Sequence, residues 1–177
     1  MAAAAGGEQQ EGALHAIQDS RIADRVNTLL NRLADLQKRA HTSGMGSQED
    51  RRKTNEAIET TRHALVEIYF NEARKAIVQQ RGPDATSLAK ETVAYTITLY
   101  GKDSAEAIPV YLLLADAQME EERYAQAQEL LSIANWTCIR LGDQVSHQIL
   151  ANLHRKFGKS YLKLGEQTVL TNHRTTY

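Results

Sequence analysis

Apolar residues along the chain recur three and four positions apart, the period of helices that bury one face, and nowhere alternate as a half-buried strand would. The pattern starts at Leu14. Ile22, Val26, Leu29, Leu33, Leu36 and Ala40 are spaced 4-3-4-3-4, an a/d seam of nearly three heptads. The seam predicts a helix over 13–41 that either lies in a groove of its own chain or pairs with a partner's coiled coil. Its shortness favours the groove, because free-standing coiled coils sustain about three to four heptads. Small polar residues with Gly44 and Gly46 interrupt the pattern at 41–50. A helix follows over roughly 51–79. The stretch RGPD (81–84) ends it and sets Pro83 in the first turn of the next helix, to Tyr100. Gly101 is a natural C-terminal stop, with Asp103 or Ser104 a natural N-cap beyond it. Helices over 105–121 and 123–140 come next, then a break at LGDQ (141–144) and a last helix over 145–164, stopped by Gly165. Residues 1–12 are small and polar and predict a disordered tail; 169–177 predict a polar tail. The chain reads as all-α.

The helices repeat. Tyr111, Leu114, Ala115, Ala127, Leu131 and Ala134 fall at offsets 4, 7, 8, 20, 24 and 27 of a helix-turn-helix unit, a pattern that resembles the tetratricopeptide repeat (TPR). Small residues at offsets 8, 20 and 27 let two antiparallel helices approach, and large ones fill the gaps between them. Tyr69, Ala73 and Ala85 take offsets 4, 8 and 20 of a preceding unit; Phe157, Gly158 and Tyr161 take offsets 7, 8 and 11 of a following one. Ala73, Ala115 and Gly158 set a period of 42 and then 43 residues. Gln118 at offset 11, Glu72 at offset 7 and Leu170 at offset 20 depart from the pattern. The expectation is a short TPR-like solenoid of about two and a half units over 51–168, with the 13–41 helix capping one open end and a partner covering the other, since about three units are needed to bury stacked faces. His154, at offset 4, and Trp136, beside the inter-unit junction, are expected to pack inward.

Four fragments carry a narrower resemblance: LYGKDSAEAIPVYLLLADAQ (99–118), RYAQAQELLSIANWT (123–137), the DA at 84–85 and NLHRKFGKSYL (152–162). Across roughly 64–165 they resemble the TPR region of MYND-zinc-finger axonemal proteins of motile cilia. The resemblance implies a scaffold subunit of an axonemal complex associated with dynein arms, radial spokes or the central apparatus, located in the cytoplasm and the ciliary or flagellar cytoskeleton. The zinc function is not carried over, because Cys138 is the only cysteine.

Composition narrows the chemistry. A net charge of -1 over 177 residues argues against general nucleic-acid or anionic-membrane binding. One cysteine excludes an internal disulfide framework and points to a reducing compartment. No apolar run is long enough for a membrane span, and MAAAAGG lacks the features of a signal peptide. YGKDS (100–104) has Thr96 and Asp103 where a phosphate-binding loop needs Gly and Ser/Thr. His147 and His154 are seven apart, not the four that lets two imidazoles share a metal. Cys138 reads as a buried, inert thiol, MEEER (119–123) as a solvated turn, and HRKFGKSYLK (154–163) as a basic face whose aromatics point inward.

No cofactor, metal or catalytic residue is therefore expected. The function expected is that of a non-catalytic adaptor that binds other proteins in a groove lined by the first helix of each pair, with Glu67, Asn71, Lys75, Asp116, Gln118 and Lys159 as contacts and Leu29 and Leu33 offered to a coiled-coil partner. A cytosolic TPR co-chaperone or transport adaptor is the alternative, and a small helical enzyme or ligand carrier the distant one.

Overall fold

The computed structural model describes residues 2–42 and 47–174, with side chains over 9–42 and 47–169. Met1, the centre of the 41–50 break, residues 175–177 and the side chain of Leu170 lie outside the described residues. Among those described, the chain forms α-helices and short turns with no strand: α1 (Ala2–His15), α2 (Ser20–Thr42), α3 (Gln48–Val78), α4 (Gly82–Tyr100), α5 (Ala107–Glu120), α6 (Tyr124–Leu141) and α7 (His147–Arg174). No described helix is long and apolar enough to cross a membrane.

Two helix pairs, α3–α4 and α5–α6, stand side by side, with α7 packed on α5 and α6. The turns inside the pairs are the same structure repeated 42 residues apart. In the first, the Gln80 N–H donates to the Ile77 carbonyl (3.0 Å) and the Arg81 N–H to that of Ala76 (2.9 Å). In the second, Glu122 donates to Met119 (3.1 Å) and Arg123 to Gln118 (2.9 Å). Each is a Schellman closure, with Gln80 (φ 58°) and Glu122 (φ 59°) left-handed. Between pairs, the chain turns at Gly101 (φ 87°) and Gly142 (φ 55°), where a side chain would be strained.

Small residues stand where the helices touch. Ala73, Ala76, Ala85 and Ala89 are fully buried between α3 and α4, as are Ala115, Ala127 and Ala134 between α5 and α6. Tyr69, Leu131, Tyr111 and Leu114 fill the spaces around them. One core joins α1–α4 with Leu113, Leu114 and Ala117 of α5. A second joins α5, α6 and α7 around Ile108, Leu131 and Leu153.

The N-terminal segment corrects two expectations. Residues 2–15 are helical rather than a disordered tail: alanine-rich α1 lies on α4, where Ala13, Ala16 and Ile17 are buried and Gln10 Nε2 donates to the Tyr95 hydroxyl (3.1 Å). The expected single helix over 13–41 is two, parted at 16–19. Asp19 restarts it, its Oδ1 accepting the Arg21 N–H (2.9 Å), and Arg81 Nη1 holds the Ala16 carbonyl (3.1 Å). The a/d seam of α2 is spent inside the chain, with Val26 and Leu33 buried and Ile22, Leu29 and Leu36 partly so, against the core that α3 shares.

The C-terminal end corrects two more. α7 runs through Gly165 to Arg174, so the stop does not form and residues 169–174 of the expected tail are helical. A glycine in an exposed helix costs only about 1 kcal/mol and ends it only where the backbone turns left-handed. Consequently no turn closes a third pair among the described residues. Phe157 is half-buried, while Gly158 and Tyr161 (60% exposed), expected in repeat packing, face solvent because no described element lies across them.

Candidate protein-binding groove

The first helices of the successive pairs share one open face. A groove of about 400 Å³ runs along it, with Phe70, Arg74, Ile77 and Val78 from α3, Pro109, Leu112, Leu113 and Asp116 from α5, and Ile149, Asn152, Arg155 and Lys156 from α7. Its register follows the repeat. Phe70, Leu112 and Arg155 stand three residues before the small residue of each unit, and Arg74 and Asp116 stand one after it. The floor is apolar and Val78 is 83% exposed at its edge.

Charge is unevenly placed around this floor. Lys156, itself buried, is ion-paired with Asp116 across α5 and α7, so the two neutralise each other within the wall. Removing either partner would leave a poorly hydrated charge. Arg74 makes no ion pair among the described residues, and Arg155 Nη2 donates to Asn152 Oδ1 (2.8 Å) without meeting a carboxylate. Two guanidiniums on opposite walls thus remain available.

Of the partner contacts expected from sequence, Asp116 lies in the groove. Glu67 and Asn71 are exposed on α3 beside Phe70 and Arg74, on its rim. Lys75 is turned to Glu72 (2.5 Å) and Lys159 to Glu120 (3.7 Å). Gln118 and Leu33 are buried and cannot face a partner, and Leu29 is half-covered by the chain's own core. Arg74 and Arg155 were missed, although the 42–43-residue period marks them. They share the phase of Asp116 and Leu112.

The far side of α6 and α7 is a second candidate contact face. Ile133, Trp136 (62% exposed) and Ile139 project from α6, and Tyr161, Leu162 and Val169 from α7. Trp136 and His154 therefore do not pack inward as expected, and Tyr161 does not point into the repeat core. The face they would have packed against is uncovered among the described residues. Exposed aromatic and aliphatic side chains, such as the Tyr161, Leu162 and Val169 that line one hollow on α7, are the usual composition of an interface core.

The groups whose titration burial perturbs do not line the groove. Tyr69 and Tyr95 stack between α3 and α4 with ring centroids 6.1 Å apart and planes within 8°. Burial, with Glu91 nearby, raises both phenols, Tyr95 to about 12. Burial also raises the Glu91 carboxyl and the Cys138 thiol. Cys138 on α6 is enclosed and protonated, the state of an inert packing thiol. No protein-family model matches the chain.

Proposed function

We propose that this protein is a non-catalytic adaptor of the TPR type that binds other proteins through the α3–α5–α7 groove. The carrying observation is the duplicated helix-turn-helix, with identical turns 42 residues apart, which sets the first helices in register along an open groove. The groove is apolar at its floor and charged on its walls, the composition that holds a peptide by buried anchors and rim polar contacts. The uncovered faces of α6 and α7 add a place for a neighbouring subunit.

The assembly proposed is axonemal: a structural subunit of motile cilia or flagella associated with dynein arms, radial spokes or the central apparatus. The fragments at 99–118, 123–137 and 152–162 support it. They form α5, much of α6 and the middle of α7, which supply the groove and the uncovered face. One observation favours a second reading, a cytosolic TPR adaptor for acidic peptides: Arg74 and Arg155 give the groove an excess of cations.

Affinity purification of the tagged chain from salt-extracted axonemes of ciliated cells, read by mass spectrometry, separates the two. Enrichment of dynein-arm, radial-spoke or central-apparatus subunits is expected. Enrichment of chaperones and soluble enzymes, with no axonemal subunit, would replace the axonemal reading with the cytosolic one.

A further inference from the structure

We infer that the groove takes an internal acidic–apolar segment of its partner: an apolar side chain seated between two carboxylates, one held by Arg74 and the other by Arg155. This rests on the adaptor reading and names the chemistry of the occupant. The floor supplies the first requirement, since Phe70, Leu112 and Leu113 line it and an apolar anchor there leaves water. The walls supply the second. Lys156 is neutralised by Asp116, so the cations open to a ligand stand apart, one on α3 and one on α7 with α5 between them.

That separation chooses between peptide types. Packed helix axes lie about 8–10 Å apart, which places α3 and α7 roughly 16–20 Å from each other across α5. An extended peptide advances about 3.3 Å per residue, so carboxylates roughly five to six residues apart reach both walls with apolar residues between them. A single C-terminal carboxylate reaches one wall only. Guanidinium forks suit carboxylates in particular, binding them through two parallel hydrogen bonds.

The test uses fluorescence anisotropy on the full chain. The probe is a fluorescein-labelled dodecapeptide blocked at both ends, with a Leu-Phe-Val centre flanked on each side by an acidic pair. Saturable binding is expected, weakened about tenfold by Arg74→Glu or Arg155→Glu and further by both together. A lysine-flanked version is expected to bind the wild type about tenfold more weakly and to prefer the double variant. A version with a serine centre is expected to lose binding. Equal affinity for acidic and basic flanks, indifference to the double variant, or no saturation at about millimolar peptide would overturn the inference. Both arginines are exposed, so the variants are expected to keep the wild-type circular-dichroism melt; should the glutamates disturb it, Arg74→Gln with Arg155→Gln is expected to weaken the acidic peptide and to abolish the preference for acidic over basic flanks. Repeating the axonemal purification with the double variant separates the failures. Unchanged capture of axonemal subunits removes the groove assignment alone, whereas capture of no partner protein of either kind by the wild type removes the adaptor reading beneath it.

Discussion

Glu91 shows how one side chain records the cost of packing α4 between α1 and α3. Its carboxyl is buried and raised by desolvation. The folded chain then holds that proton more tightly than the unfolded one. The stability it confers is complete below the ordinary carboxylate range and is lost as pH rises through the raised value. Glu91→Gln removes the penalty, so the variant is expected to melt above wild type at about pH 8, with the gap narrowing as pH falls to about 4. Thermal melts across that range check it, and a variant that melts lower at the alkaline end would sink it. Residue phase also explains what the sequence hid in the groove. Asp116 and Gln118 are two positions apart, about 200° around a helix, so they cannot share a face. Taking the first as groove-lining should have sent the second into the core, where it lies.

The helices within pairs were readable because alanines at fixed spacing mark close crossings, and Ala73, Ala85, Ala115 and Ala127 are all fully buried. The N-terminal break was not readable, because Ala13 before it and Ala16 and Ile17 within it keep the apolar spacing of a helix. The long-range contact of Arg81 with the Ala16 carbonyl, together with the Asp19 cap, fixes where the chain bends. The paired turns carry a prediction of their own. Gln80 and Glu122 hold a left-handed backbone that glycine adopts without strain, so Gln80→Gly and Glu122→Gly should each stabilise the protein by about 0.5–1 kcal/mol. Urea unfolding measures this. Equal gains would match the equivalence of the two turns, and losses at both would contradict it.

Across the whole molecule the two ends differ. α1 and α2 cover α4 and α3, whereas the far side of α6 and α7 stays open. Leu33→Asp buries a carboxylate in the α1–α4 core and should cost about 3–5 kcal/mol, visible in denaturant. Leu162→Asp, at an exposed site, should change stability by less than about 0.5 kcal/mol yet abolish incorporation into the complex. Retained incorporation would remove that face from the assembly. The uncovered end was legible in sequence only as a count of units, since which side chains it exposes depends on α7 running straight past Gly165.

That straight run has a kinetic consequence. Among the described side chains of α7, Leu164 is the last partly covered one, and those of 165–169 are exposed. Lys163–Glu166 (2.8 Å) is an exposed pair, and such pairs add only a few tenths of a kcal/mol. Helical turns held so weakly open far more often than the core does. Their amide hydrogens should trade with deuterated water within seconds, then become slow once another subunit docks, so the end of α7 serves as a built-in reporter of assembly.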